Sequence, residues 1–144
     1  MVQLRLRPAR RETDGFGALM QSISATRYLG RRIRFGAIVR AQEVTGWAGL
    51  WLRVDGPQGM IAIDNMHDRA LSQTTDWAPA SIVLDVPDIA TELHFGVLLS
   101  GAGAVDLTRP WFGEADQDVP VTAAPFRSAP LPDQPQGLDF AGAP

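Results

Sequence analysis

The sequence contains no cysteine and only two histidines among its 144 residues. The absence of cysteine excludes disulfide bonds, thiolate zinc sites and cysteine nucleophiles. With only two histidines, the chain has few side chains for metal-centred or histidine-based catalysis. The composition, with 45% hydrophobic and 20% charged residues, is that of an ordinary globular protein. We therefore expect no catalytic residues, no metal ion and no cofactor.

Sequence motifs for catalysis are missing as well. There is no Gly-x-Ser-x-Gly elbow and no His-Glu-x-x-His pair, and the spacing Gly101-x-Gly103 is too short for a dinucleotide signature. Glu43, Glu92 and Asp64 cannot be ranked as paired carboxylates, because that chemistry depends on a separation in space that sequence spacing does not show. The sequence predicts a protein that is not an enzyme.

All 13 basic residues are arginines, and they are unevenly distributed. The first forty residues hold nine arginines against Glu12 and Asp14, a net charge of +7. The other 104 residues hold four arginines against 14 acidic residues, a net charge of −10. Such asymmetry can mark a nucleic-acid-binding arm, but these arginines alternate with apolar residues, as on the exposed face of a half-buried strand. We favour solvated strand faces over a nucleic-acid partner.

The N-terminus shows no secretory signal, because Met1–Arg11 contains four arginines and no apolar run of the length that such a signal needs. The default expectation is a cytoplasmic protein, although a chain that began after a cleaved leader would show the same pattern. The sequence also lacks the long apolar run of a membrane-spanning helix. We expect no membrane partner.

The chain length suits one domain, because a chain of 144 residues buries roughly two-thirds of the surface that it exposes when unfolded. Six of the eleven prolines lie beyond Val119, and proline lacks the backbone N–H that a helix or a central strand uses. We predict a β-domain over residues 1–118 and an extended, proline-rich tail over residues 119–144.

The hydrophobic period between Arg31 and Phe112 is two, which indicates β-strands. Strict alternation gives each sheet one buried face and one wetter face, which is the antiparallel pattern. Turn sequences such as Asp55–Gly59 separate the apolar runs. The predicted strands are Val2–Arg7, Arg31–Arg40, Trp47–Asp55, Met60–Asp64, Trp77–Val86, Thr91–Ser100 and Ala104–Phe112.

Residues 16–24 fit two kinds of secondary structure. Phe16, Met20 and Ile23 lie at helical spacing, with Asp14 as the N-cap, whereas residues 19–23 also fit a strand. We prefer the strand, because it provides an eighth member of the sheets. Strands at this spacing predict a sandwich or a barrel.

Several of these segments together resemble a known family. Residues 17–112 follow the pattern of the galactose-binding-like jelly-roll sandwich of bacterial carbohydrate-binding modules. The resemblance implies an all-β, antiparallel jelly-roll β-sandwich of about eight strands, here followed by the proline-rich C-terminal tail. It also implies an accessory or sensing domain, since some similar domains lie beside DNA-binding regulators. The likeness is carried by Leu19–Ile23, Tyr28–Phe35, Gly49–Asp55, Trp77 with Ile82–Pro87, and Phe95–Gly101.

The chain departs from that family in one motif. Such modules usually open with a Phe-Glu-x-Gly-like strand, whose glutamate helps to hold a calcium ion with an aspartate of the last strand. The nearest match here lies in residues 138–142, with Ala141 in place of the glutamate, and Asp106 is the counterpart of the aspartate. Calcium needs six to eight oxygen ligands, so we expect none. Residues 138–142 are predicted to supply an edge strand to this sandwich or to a neighbour's; the alternative is a linker.

Four tryptophans in a small domain are the main functional indication, because aromatic rings stack on the apolar faces of sugars. Trp51 alternates with leucines, so we predict that it projects from the face opposite the core, beside Arg53. In the arrangement of the modules named above, His94 shares that face. We predict a shallow ligand-binding face of Trp51, Arg53 and His94 with Arg40 at its edge. The alternative is a face that the tail or a second subunit covers.

A second candidate site is the polar segment Asp64–Arg69, which lies at one end of the predicted sandwich, where loops often carry ligand sites. Asp64, Asn65, His67 and Arg69 are the candidate ligand-binding residues. The alternative is ordinary turn chemistry, which favours asparagine and aspartate.

The sequence predicts a non-catalytic module that binds a carbohydrate or another small polar ligand. The alternative is a structural or protein-interaction domain without a small-molecule ligand, in which the Trp51 face forms a homodimer.

Overall fold

The structure, a computed structural model, describes residues 3–7 and 16–123. These residues form nine strands and two short 3-10 turns, Thr26–Tyr28 and His67–Arg69. None of the described segments is a helix of the length and apolar character needed to cross a membrane. The strands are β1 (Gln3–Leu6), β2 (Phe16–Ser24), β3 (Arg31–Gln42), β4 (Val44–Gly56), β5 (Gly59–Asp64), β6 (Leu71–Gln73), β7 (Ala78–Val86), β8 (Glu92–Ser100) and β9 (Ala104–Ala115).

The strands form two antiparallel sheets. The first sheet has the order β1-β9-β3-β7, and the second has the order β2-β8-β4-β5, with β6 paired to β4. The chain passes repeatedly from one sheet to the other, so that strands distant in sequence become neighbours. This is the wrapping of a jelly roll, and the predicted all-β antiparallel sandwich is confirmed.

The core lies between the two sheets and follows from the period-two pattern. Inward residues of β3, β4 and β7, such as Ile33, Leu52 and Leu84, are fully buried. Phe95 and Phe112 bring the two sheets into aromatic contact, with ring centroids 4.4 Å apart. Apolar burial of this kind is the main favourable term in folding.

Residues 16–24, which fit both a helix and a strand in the sequence, form a strand, as we preferred. Strand β2 pairs with β8 along its whole length, from Phe16 opposite Ser100 to Ser24 opposite Glu92. Strand β6 was not predicted from the sequence, since its three residues are too few to show a period. It pairs with β4 only at two positions, one of them Gln73, whose φ is 60°.

The start of the predicted tail lies against the first sheet. The Thr122 N–H donates to the Val83 carbonyl oxygen at 2.8 Å, and the Val83 N–H donates to Thr122 Oγ1 at 2.9 Å. These bonds satisfy backbone groups on the outer side of β7, an edge strand of the sheet. The predicted edge strand at residues 138–142 lies outside the described residues, and the domain boundary at residue 118 stays a prediction.

The backbones of β8 and β2 approach so closely at one position of the second sheet that only glycine fits there. Gly96 on β8 lies opposite Met20 on β2 and opposite Trp51 on β4. A Cβ atom added at Gly96 would overlap the carbonyl oxygen of Leu19. Glycine is therefore required here by space, since backbone atoms cannot move aside as a flexible side chain can.

Replacing this glycine should destabilise the domain. We expect Gly96→Ala to lower the free energy of unfolding by about 1–3 kcal/mol, because β2 must move away from β8 to admit the methyl group. Urea unfolding followed by circular dichroism measures the change. Gly113→Ala is the matched control, since its added Cβ would approach only the side chain of exposed Trp111. Equal losses in the two variants would contradict the proposed clash.

Candidate functional site

Trp51 lies on the outer face of the second sheet. Its neighbours Leu50 and Leu52 belong to the buried core, and Trp51 does not, so alternation along β4 turns its side chain away from the core. The side chain is nevertheless only 7% exposed. The indole is therefore not the open stacking platform that the sequence suggested.

The pairing of β4 with β8 brings the predicted residues together. Arg53 lies directly opposite His94, and Trp51 lies two residues further along β4. Asp55 lies opposite Glu92, and both were missed as site residues. Extending the same alternation by two residues along each strand would have found them. Trp51, Arg53 and His94 thus share one face as predicted, while their role in binding stays a prediction.

Polar contacts connect the side chains of this face. Arg53 Nε lies 3.0 Å from Asp55 Oδ1. His94 Nε2 lies 3.1 Å from Asp55 Oδ2 and 3.3 Å from Glu92 Oε1. On the other side of the imidazole, Nδ1 is 2.7 Å from the hydroxyl oxygen of Ser22 on β2. We name this group the outer polar cluster; its members are Ser22, Trp51, Arg53, Asp55, Glu92 and His94.

Several atoms of the outer polar cluster are buried without a hydrogen bond. Across residues 3–7 and 16–123, the buried side-chain nitrogen and oxygen atoms that lack a hydrogen-bond partner are Trp51 Nε1, Arg53 Nε, Asp55 Oδ1 and His94 Nε2. Arg53 and Asp55 are close, but their contact lacks the direction that a hydrogen bond requires. Buried polar atoms are nearly always paired in proteins, so their concentration on one face requires an explanation.

The Asp64–Arg69 segment uses its polar atoms internally. Asp64 Oδ1 accepts the Met66 N–H at 2.9 Å, and Asp64 Oδ2 accepts a bond from Arg69 at 2.8 Å. Burial acts to raise the pKa of Asp64, but hydrogen bonds from Arg69, Thr122 and the Met66 N–H, together with the charge of Arg69, outweigh it and leave that pKa lowered. Asn65 Oδ1 accepts the His67 N–H at 3.1 Å. Such contacts are typical of an ordinary turn, which was the alternative for this segment. Ligand binding by this loop stays a prediction.

The placement of Arg40 at the edge of the Trp51 face is wrong. Arg40 lies on β3 in the first sheet, whereas Trp51 lies on β4 in the second. Only Glu43, with a φ of 53°, separates these strands, and the chain changes sheets there instead of forming a hairpin. The Arg40 guanidinium lies 4.4 Å from the centroid of the Trp77 ring.

Arg40 takes part in a different arrangement, around the carboxylate of Asp106. Arg40 Nε donates to Asp106 Oδ2 at 2.8 Å, and the guanidinium of Arg5 on β1 contacts both carboxylate oxygens. Asp106 is fully buried. The residue that the family resemblance offered as a calcium ligand is thus bonded to two guanidinium groups, which join β1 and β3 to β9.

Comparison with known sequences gives one curated relative and no family model that matches. The relative is the uncharacterized HTH-type transcriptional regulator YbfP of Bacillus subtilis (strain 168), 39% identical over 126 residues. The match covers 87% of this chain and 42% of that protein. The chain therefore spans less than half the length of the curated relative that it matches.

Comparison with solved structures gives several matches, all at low sequence identity. The enzymatically active domain of bacteriophage CBA120 tailspike protein 4 aligns with a TM-score of 0.54 and 14% identity, over 78% of this chain and 15% of that one. The sugar-binding C-terminal domain of EclA has a TM-score of 0.47 and 13% identity over 78% and 77% of the two chains. The CBM22-1 xylan-binding domain of Paenibacillus barcinonensis Xyn10C has a TM-score of 0.45 and 13% identity over 77% and 92%. Such likeness concerns the fold, which does not assign a ligand.

The Asp106 arrangement predicts how stability depends on pH. The hydrogen bond from Arg5 lowers the pKa of Asp106 despite its burial, and Arg40 lowers it further. Its contribution to the free energy of unfolding is therefore complete above the ordinary aspartate pKa of about 3.9 and is lost as the pH falls through the lowered value. Asp106→Asn should remove this loss and lower the urea midpoint at pH 7. A midpoint profile from pH 7 to acid tests both effects, with exposed Asp118→Asn as control. If the urea midpoint of Asp106→Asn depended on pH as that of the wild type does, the prediction would be contradicted.

Proposed function

We propose that this domain is a non-catalytic module that binds a small carbohydrate at the outer polar cluster. The observation that carries the proposal is the group of buried polar atoms without a hydrogen bond on four neighbouring residues, Trp51, Arg53, Asp55 and His94. A buried donor or acceptor without a partner costs roughly 1–3 kcal/mol. A ligand that supplies the missing partners recovers that cost on binding.

The chemistry of the unpaired atoms favours a polyhydroxylated ligand. Trp51 Nε1 and Arg53 Nε are donors, and Asp55 Oδ1 is an acceptor. A hydroxyl group both donates and accepts, so a ligand with adjacent hydroxyl groups satisfies donors and acceptors a few ångströms apart. An apolar ligand would leave all of them unpaired.

The sequence relative supports a sensing role for such a module. A helix-turn-helix unit consists of packed α-helices, and the part of this chain that the structure describes contains none. The described β-domain is therefore not the helix-turn-helix unit of a protein like the HTH-type regulator that it resembles. We infer that the domain acts as the ligand-sensing part of a transcriptional regulator.

A saccharide screen tests the proposed function. A ligand that binds only the folded state raises the melting temperature of the protein, so the whole chain is screened against monosaccharides and short oligosaccharides. We expect at least one saccharide to raise the melting temperature and to change the tryptophan fluorescence. No shift with any saccharide at millimolar concentration would contradict the carbohydrate proposal.

Removal of one hydrogen-bond donor then tests the site. Trp51→Phe removes the indole N–H and keeps an aromatic ring, and we expect saccharide affinity to fall about tenfold, the effect of one lost hydrogen bond. Isothermal titration calorimetry measures the affinity. Trp111→Phe is the matched control, because Trp111 is an exposed tryptophan on the first sheet. Unchanged affinity in Trp51→Phe would exclude the outer polar cluster as the site.

The homodimer alternative stays a prediction, and light scattering on the same sample tests it. A monomeric mass in the presence and absence of saccharide would exclude a dimer formed through this face. A dimer whose formation is weakened by Trp51→Phe would favour the interface over the sugar site.

A further inference from the structure

One end of the outer polar cluster brings three potential metal ligands together. Asp55 and Glu92 face each other across β4 and β8, and His94 lies two residues further along β8. One ligand atom from each of the three residues lies within 4.8 Å of the other two. We propose that Asp55, Glu92 and His94 bind a divalent transition-metal ion of the zinc class.

The distances fit a small ion between the side chains. Zinc binds nitrogen and oxygen at about 2.0–2.2 Å in a tetrahedral arrangement, which places neighbouring ligand atoms roughly 3.3–3.6 Å apart. His94 Nε2 lies 3.1 Å from Asp55 Oδ2 and 3.3 Å from Glu92 Oε1. The Glu92 side chain is 61% exposed, so it has room to rotate toward the ion and complete the set.

The imidazole of His94 is oriented for this role. The Ser22 hydroxyl lies 2.7 Å from Nδ1, which leaves Nε2 directed at the two carboxylates. Metal-binding histidines commonly hold their second ring nitrogen in a hydrogen bond of this kind. His94 is only 9% exposed, and its Nε2 has no hydrogen-bond partner. An ion at this point would give that buried nitrogen its partner.

The donor set selects the class of ion. Imidazole nitrogen favours zinc and its neighbours in the first transition row, whereas calcium and magnesium prefer sites made of oxygen alone. Three protein ligands leave one position of a four-coordinate ion open for water or a ligand oxygen. The three residues lie on the same face of the sheet as Trp51.

Arg53 is the cation that competes with the ion. Its Nε lies 3.0 Å from Asp55 Oδ1, so its positive charge already offsets part of the carboxylate charge. Replacing it with neutral glutamine should therefore strengthen metal binding. The same change should weaken saccharide binding, since it removes a donor of the proposed sugar site.

The experiment is a titration of the untagged, chelator-treated chain with Zn²⁺ against a chromophoric indicator, and with Co²⁺ followed by visible absorption. We expect one ion per chain and the intense absorption of tetrahedral Co²⁺. His94→Gln and Glu92→Gln should each weaken Zn²⁺ binding by about tenfold or more. His67→Gln, which changes the other histidine, is the matched control and should bind like the wild type. Arg53→Gln should bind more tightly.

The metal proposal and the saccharide proposal can be overturned by different results. Weak or substoichiometric Zn²⁺ binding by the wild type would overturn the metal proposal, as would equal affinities in the wild type and Glu92→Gln. Glu92 is exposed enough that its variant should fold even where His94→Gln does not, which circular dichroism checks. The titration contains no saccharide, and Trp51→Phe should leave it unchanged, so each proposal can fail without the other.

Discussion

Burial of the inner faces of β4 and β8 is the constraint on which the candidate site depends. Leu52 on β4 and Leu93 and Leu99 on β8 are fully enclosed between the sheets. A slip of one residue in the pairing would expose these leucines and bury Arg53. The core therefore fixes the register, and the register in turn places Trp51, Arg53 and Asp55 against Gly96, His94 and Glu92. The site is a consequence of how the opposite face of the same strands packs.

The sequence allowed the fold to be predicted well because alternation is a local signal. The positions of the long strands, and the grouping of Trp51 with Arg53, follow from side chains that point to alternate faces of a strand. The expectation that His94 shares this face came from the family resemblance and not from spacing; the structure provides the pairing of β4 with β8 that brings it there. The burial of Trp51 depends on its surroundings in three dimensions, which no count along the strand reveals.

The position of Arg40 could not be predicted from local sequence patterns. Arg40 was predicted to end one strand and Trp51 to lie on the next, yet the left-handed backbone at Glu43 turns the chain from the first sheet into the second. The hydrogen-bond partner of Arg40, Asp106, lies sixty-six residues away, on β9. Similarly, Ser22 reaches His94 only because β2 pairs with β8, a contact between residues seventy-two apart.

The uneven charge along the chain is partly offset in the folded first sheet. Its order alternates strands that carry arginines, β1 and β3, with strands that carry carboxylates, β9 and β7. Arg31 pairs with Glu114, and Arg32 pairs with Asp85. Opposite charges on adjacent strands stabilise a sheet. The basic N-terminal segment is therefore partly neutralised by the acidic half of the chain, in line with the interpretation of its arginines as strand faces.

The bonds between Thr122 and Val83 bear on how copies of the domain can associate. An edge strand with unpaired N–H and C=O groups is a template for growth of a sheet from one molecule into the next. At Val83 both backbone groups are already occupied by Thr122. A continuous sheet across two β7 edges would have to displace this segment first, so the short stretch after β9 protects the domain against aggregation along that edge.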